Sequence, residues 1–319
     1  VDESKDIVRQ GSVRQTQEHL RSVFSSSSAM RVIVEATTQA FWTADLLREL
    51  GHDVRVVDPN RTKAIGAALI KHDKLDAHIV ALLGCADLLA EVRIPSRQER
   101  IERVPMVCRD TMVRSRTRLV NALRGVFASE GIILPTASPV RLVALFEQAR
   151  AGLPQDLCEA TAPLLQSLAA LNLCLQTSDE VVRDNAKNDP LLRRLQTVPG
   201  VGPITVTTFV ATIVDPHRFD SGRAVGAYLG LVPRLYQSGN TTRRGGITKH
   251  GNRQARWALT MAASSLLLSN GDSALQQWGR QLAARVGRKK ACCAIARRLA
   301  ALLWAMWKNE TAFDARLPA

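Results

Sequence analysis

Two short β-branched runs, Val32-Ile33-Val34 and Val54-Arg55-Val56-Val57, flank a segment in which Leu46, Leu47 and Leu50 recur at helical spacing before Gly51. Short β-branched runs of this kind read as buried strands. A helix between two such strands makes them parallel neighbours, because a parallel pair needs a crossover connection. The sequence therefore predicts an α/β unit near its start. Around it, Ile7 to Gln10 and Ser12 to Gln15 read as a short hairpin about Gly11, residues 16–25 read as helix, and Asn60 opens a further helical region.

From Asp73 to about residue 190 the pattern is helical. Val80, Leu83, Leu88 and Leu89 begin it, and Arg97 to Phe127 continues it with many interspersed charges. Val143, Leu145, Leu165, Leu168 and Leu171 follow, punctuated by Pro135, Pro139 and Pro154. Long helices with charged outer faces predict a coiled or bundled spacer. A third segment opens at Leu195 with a Gly/Pro turn, and Leu259 to Leu268 and Ala291 to Trp307 read as helices. In the last of these Ile295, Leu299, Leu302, Leu303 and Met306 form a core stripe opposite Arg297 and Arg298, and Cys292, Cys293, Trp304 and Trp307 read as packing residues. The predicted divisions are 1–95, 96–190 and 191–319.

The 319 residues carry a net charge of +14, and residues 241–319 hold 14 Lys/Arg against 3 Asp/Glu. A chain this basic points to a polyanionic partner, of which nucleic acid is the commonest; a merely solvated basic surface is the plain alternative. No apolar run approaches the roughly 20 residues of a membrane span, and the start has no hydrophobic signal core. The six cysteines are scattered through mostly helical, apolar stretches with no CxxC pair, so they form neither a zinc pattern nor a convincing disulfide framework, and a reducing, cytoplasmic setting fits best.

Several residues carry candidate chemistry. Glu35 ends the first strand, where open α/β sheets place their sites; a solvated strand-end carboxylate is the alternative. Asp73 and Asp76 share a helix face, where two carboxylates suit Mg²⁺ or Mn²⁺ and metal-assisted attack on phosphate. On an exposed face, Lys71 and Lys74 would instead be their partners. Pro199-Gly200-Val201-Gly202-Pro203 resembles the hairpin of helix–hairpin–helix DNA-binding modules, or serves as an ordinary turn. The stretch from Gly226 to Arg253 is rich in glycine and cations. Within it Arg243, Arg244, Lys249, Asn252 and Arg253 suit a phosphate backbone. Ser238 precedes Gly239 in this cationic loop, and by spacing alone it reads as a turn residue.

Taken in order, these residues resemble the insertion-sequence transposases of the IS110 family, the DEDD recombinases. The resemblance covers nearly the whole chain. It rests on Glu35-Ala36, Val57-Asp58-Pro59-Asn60-Arg61, Lys71-x-Asp73-x-x-Asp76-Ala77, Pro199 to Pro203, Ala227-Tyr-Leu-Gly-Leu-Val-Pro233, Ser238-Gly239 and Ile247-x-Lys-x-Gly-Asn-Arg253. It implies an enzyme with a RuvC-like, RNase H-type amino-terminal domain, a helical coiled-coil spacer and a mostly helical carboxyl-terminal transposase domain. By the same resemblance Glu35, Asp73 and Asp76 are three of four Mg²⁺-binding carboxylates, and Ser238 is the nucleophile that forms a covalent protein–DNA intermediate. The implied partners are element and target DNA, a structured guide RNA and further copies of the chain in a dimer or tetramer, with a cytoplasmic, nucleoid-associated location in a bacterium. One departure stands out. The family's first Asp lies on an opening strand well before its Glu, whereas this chain begins Val1-Asp2-Glu3, so the expected domain lacks its first strand and one metal ligand. The rival readings are a metal-dependent nuclease or junction resolvase in which Ser238 is idle, and an inactive nucleic-acid-binding remnant.

Overall fold

A computed structural model of the chain describes residue 1 and residues 4–59, 73–238 and 241–316. The chain is mostly helical, with two small sheets, and divides into the compact units Val1–Arg97 and Gln98–Ala319. In the first unit the two β-branched runs become β1 (Arg31–Glu35) and β2 (Asp53–Val57), parallel and in register from Arg31↔Asp53 to Glu35↔Val57. The crossover between them is α2 (Ala40–Glu49), which buries Ala40, Ala44 and Leu47 against Val54 and Val56. The small side chains at 40 and 44 let the helix lie close on the sheet. On the other edge of β2, Val92 N–H donates to Val56 O (2.7 Å) and Asp58 N–H to Ala90 O (3.1 Å), with an antiparallel bridge between Val57 and Glu91. Helix α1 (Gln17–Phe24) begins at Thr16, whose hydroxyl caps His19 N–H.

His52 fastens this unit. It is buried, its Nδ1 accepts from Met30 N–H (3.4 Å) and its Nε2 lies 3.2 Å from Phe24 O. A ring that accepts at Nδ1 must carry its proton at Nε2, so the neutral tautomer ties the end of α1 to the start of both strands. The hairpin expected over Ile7 to Gln15 does not form. Those residues have no regular structure and Ile7, Val8 and Val13 are exposed. A two-stranded hairpin with no apolar face to bury is marginal in water, and nothing there compensates it. The helical region expected from Asn60 lies outside the described residues as far as His72. From there α3 (Asp73–Cys85) packs on β1.

The second unit holds the long helices α4 (Arg97–Ser129), α5 (Pro139–Ala149) and α6 (Gln155–Asn188). They enclose a cluster of Leu123, Phe127, Leu142, Phe146, Leu165 and Leu168, in which the rings of Phe127 and Phe146 meet edge-on at 5.1 Å. At about 1.5 Å per residue, the 34 residues of α6 extend about 51 Å, so one helix reaches a second cluster through Ala186. That larger core joins α7 (Pro190–Leu195), α8 (Pro203–Ile213), α9 (Gly222–Tyr228), α10 (Arg253–Leu268), α11 (Ala274–Val286) and α12 (Arg288–Lys308). The expected stripe on α12 is its floor: Ile295, Leu299, Leu303 and Met306 are buried, and Trp304 and Trp307 pack at its margin.

Between α9 and α10 the chain makes β3 (Pro233–Ser238) and β4 (Thr241–Ile247), an antiparallel hairpin whose base is locked by backbone contacts. Lys249 N–H donates to Gly230 O (3.1 Å) and Thr248 N–H to Val232 O (2.9 Å). Gly230 and Gly251 both have positive φ, and a Cβ on either would overlap backbone of the opposing loop, His250 for one and Tyr228 for the other. Arg256 closes the lock, its Nη1 reaching Leu229 O (3.2 Å), His250 O (2.7 Å) and Gly251 O (2.9 Å). Burial, with Arg253 close by, lowers the proton affinity of this guanidinium below its ordinary value.

Two stability tests follow from these contacts. Gly251→Ala combines strain with overlap and is expected to cost more than about 2 kcal/mol in denaturant titration, whereas Gly202→Ala, with open space around it, stays within about 1 kcal/mol. Phe146→Ala removes one ring of the buried pair and is expected to cost about 3–5 kcal/mol, read as a lowered unfolding midpoint.

Candidate active site and nucleic-acid interface

In the first unit, Glu35 is half-buried at the carboxyl end of β1, and no described residue hydrogen-bonds or ion-pairs its carboxylate. It lines an open cleft of about 1320 Å³ together with Ile33 and, from α3, Ala77, Val80 and Ala81. Asp73 and Asp76 lie in the first turn of α3, and Ala77, the residue that follows Asp76, lines the cleft. The side chains of residues 73–76 lie outside the described ones, as do Lys71, Asp2 and Glu3. Among the described residues no three His, Cys, Asp or Glu side chains gather into a metal cage. Of the three expected ligands only the side chain of Glu35 is described; its carboxylate oxygens are of the type a hard divalent ion takes, in a cleft that Arg31 and Asp53 also line.

Neighbouring charges behave differently. Asp53 bonds Arg55 and Arg31, and those hydrogen bonds hold its carboxyl below the usual range. Arg31 also reaches Asp87, and Arg55 reaches Glu91. These pairs are exposed and contribute little stability, but they leave Glu35 unpaired at the far end of the same sheet.

In the second unit the cationic loop expected around Ser238 is instead the β3–β4 hairpin, and Ser238 is the last residue of β3. Only Gly239 and Asn240 separate the strands, a pair suited to a two-residue turn; both lie outside the described residues. The register pairs Ser238 with Thr241, Gln237 with Thr242, Tyr236 with Arg243 and Leu235 with Arg244. Alternation therefore puts Ser238, Tyr236, Thr241 and Arg243 on one face, with positions 238 and 243 diagonal neighbours at about 7–8 Å. Ser238 is exposed and no described residue hydrogen-bonds its hydroxyl; Leu235 (63% exposed) and Tyr236 (58%) stand equally open.

The other predicted nucleic-acid contacts separate into surface and scaffold. Arg243, Lys249 and Arg253 are exposed, and Arg244 lies on β4 with its side chain outside the described ones. Lys249 has a positive φ of 61°, forced by the lock at the hairpin base. Asn252 is exposed and its carboxamide oxygen caps α10 through Ala255 N–H (3.0 Å). Gly200, at the turn between α7 and α8, faces α10 so closely that a Cβ would come within 2.5 Å of Ala262 O, which makes it a helix-packing glycine. Gly202 caps α8 in open space.

Sequence reasoning gave two residues of these units no chemical role, though Asp58 stood in one of the quoted motifs. Asp58 follows β2, and because Val57 registers with Glu35, a second carboxylate leaves the adjacent strand end. Arg256 stood among many cations, with nothing in its spacing to mark it as the clamp. A Gly-Asn pair flanked by extended residues was the signal that could have disclosed the hairpin.

Comparison with known proteins gives family matches over two parts of the chain. Residues 1–130 match the DEDD family of IS110 elements, described as "Transposase", and residues 192–278 match the "Transposase IS116/IS110/IS902 family". The chain is 28% identical to a probable family 20 transposase of Pseudomonas aeruginosa over 98% of its own length and 94% of that protein's. It is 27% identical to the transposase for insertion sequence element IS1111A of Coxiella burnetii, covering 88% of this chain and 79% of the other. A putative transposase of Sinorhizobium fredii, y4pF/y4sB, is 29% identical over 91% and 76% respectively. Two matches to models of one family, over residues 1–130 and 192–278, and relatives of one kind matched over most of this chain place it in the IS116/IS110/IS902 family of insertion-sequence transposases.

Proposed function

We propose that this chain breaks and rejoins DNA through a covalent link between Ser238 and a DNA phosphate. The observation that carries the reading is the hairpin face itself: an exposed serine with a guanidinium position diagonal to it, on a two-stranded arm tied down at its base. Ser238 Oγ attacks phosphorus in line, its proton passes to solvent, and the bond to one DNA oxygen breaks as that strand end leaves as a hydroxyl. Attack by a strand-end hydroxyl on the phosphoserine reverses the step, so the phosphodiester is restored without another energy source. Arg243, Arg244, Lys249 and Arg253 neutralise phosphates as the strand is held, with Asn252, Gly200 and Gly202 shaping the surface beside them. Glu35, Asp73 and Asp76 are the carboxylates that would hold Mg²⁺ or Mn²⁺ in an RNase H-like first domain. Bound there, a divalent ion stabilises charge that develops on phosphate oxygens.

The same reading assigns residues 1–95 to the RuvC-like domain, 96–190 to a helical spacer and 191–319 to the transposase domain. It includes a structured guide RNA, assembly into a dimer or tetramer, and a cytoplasmic location with the nucleoid. Among the described residues no helix is long and apolar enough to cross a membrane. A second reading, hydrolysis by a metal-activated water with Ser238 idle, draws on the lack of any described base at the Ser238 hydroxyl.

Incubating the chain with element-end DNA, its RNA and Mg²⁺, followed by denaturing electrophoresis, separates the two. An adduct that Ser238→Ala abolishes is the expected result; nicking that survives Ser238→Ala without an adduct would leave the hydrolytic reading. Glu35→Gln is expected to remove metal-dependent strand breakage while leaving DNA affinity within about twofold, measured by equilibrium binding. Arg243→Ala is expected to weaken binding to all sequences alike and to reduce the slope of log affinity against log salt by about 1.

A further inference from the structure

A second cleft, of about 400 Å³, lies within the second unit between α4, α8 and α10, away from the hairpin residues. Four arginines and one aspartate line it, with Trp257 on its α10 wall and Val113 and Ile204 supplying apolar surface. Helical spacing explains the concentration. Asp110, Arg114 and Arg118 are successive i, i+4 neighbours on α4, and Arg253 and Trp257 are i, i+4 neighbours on α10. Two of the cations are already engaged: Arg109 pairs with Asp179, and Arg114 with Asp110. Arg118 and Arg253 are exposed and have no carboxylate partner among the described residues. Trp257 is half exposed, a large apolar ring left in solvent beside two unpaired guanidiniums.

The walls are fixed before any ligand arrives. Gln254 Nε2 donates to Met106 O (2.7 Å), tying α10 to α4, and Arg103 Nε donates to Ala211 O (2.8 Å), tying α4 to α8. The volume suits a ligand of nucleotide size. A closed duplex offers phosphates to the arginines and nothing to the indole, because its bases are stacked on one another. An unpaired base offers both a π face and an adjoining phosphate.

We infer that this cleft captures a single unpaired nucleotide, its base stacked on Trp257 and its phosphate held by Arg118 and Arg253. The inference rests on the nucleic-acid reading above and adds to it a preference for strand disruption, at a site separate from Ser238. The unpaired nucleotide can come from DNA or from RNA, and the test distinguishes them.

The test uses the full Ser238→Ala chain, so that covalent capture plays no part, and duplexes carrying one 2-aminopurine either paired or bulged, made as DNA and as RNA. Tighter binding of the bulged duplex, with quenching of 2-aminopurine emission by stacking, is the expected result, and the strand type that gives it names the source. Trp257→Ala is expected to weaken binding of the bulged duplex by about 5- to 150-fold and to abolish the quenching, with Trp257→Phe retaining most of both. Arg118→Ala, a change at an exposed position, is expected to weaken the bulged duplex without abolishing quenching, and it keeps the test open should Trp257→Ala fail to fold. Equal affinity for paired and bulged duplexes, an undiminished preference in both the Trp257→Ala and the Arg118→Ala chains, or no binding of either duplex would overturn the inference. Adduct formation by the Ser238 chain without any preference for the bulge overturns the cleft alone, and the preference without an adduct overturns the serine chemistry alone.

Discussion

The guanidinium of Arg256 bonds three carbonyl oxygens that belong to two different loops, and the surface of the second unit depends on that junction. Residues 228–232 leave α9 and residues 248–251 enter α10; Gly230 and Gly251 let the two backbones touch, and Arg256 bonds carbonyls of both. Three hydrogen bonds from one guanidinium to these carbonyls tie the two loops together. From this base the β3–β4 hairpin projects with few contacts of its own. A two-stranded ribbon is marginal in isolation, and the lock is what holds Ser238, Tyr236 and Arg243 in one register.

The two units solve different physical problems. The first presents a carboxylate at the end of a parallel strand, unpaired, while its neighbours Asp53 and Glu91 are matched by arginines. The second presents exposed cations and pairs some of its aspartates internally, as Asp179 with Arg109 and Asp110 with Arg114. Membership of a transposase family agrees with such a division: acidic groups suited to a divalent ion on one side of the chain's organisation, basic groups suited to phosphate on the other.

Much of this was legible beforehand because its cause is local. The strands at 31–35 and 53–57 follow from β-branched runs, the crossover helix from leucine spacing, and the α12 floor from a stripe of apolar residues three and four apart. The hairpin near the start was misread because Ile7, Val8 and Val13 suggest alternation, yet no surface exists for them to bury against. The region around Ser238 was read as a loop because glycine and arginine mask the extended pattern; its strands are held by pairing and by the lock rather than by apolar burial. Gly200 was read as a phosphate cradle, and its absent side chain also serves an approach to Ala262 on a helix sixty residues away.

The sequence by itself determined the α/β start, the helical body, the basic last quarter and the ordered motifs by which the family is identified, because periodicity, charge and short spacings are properties of neighbouring residues. Only the tertiary structure decided which arginines are spent on partners and which are left for a ligand. Arg256, Arg109 and Arg118 are alike in the sequence. One is enclosed by carbonyls, one is matched by Asp179 seventy residues on, and one stands open beside Trp257. Those differences arise from contacts between distant segments, and a side chain's charge becomes available or not only when those segments have packed.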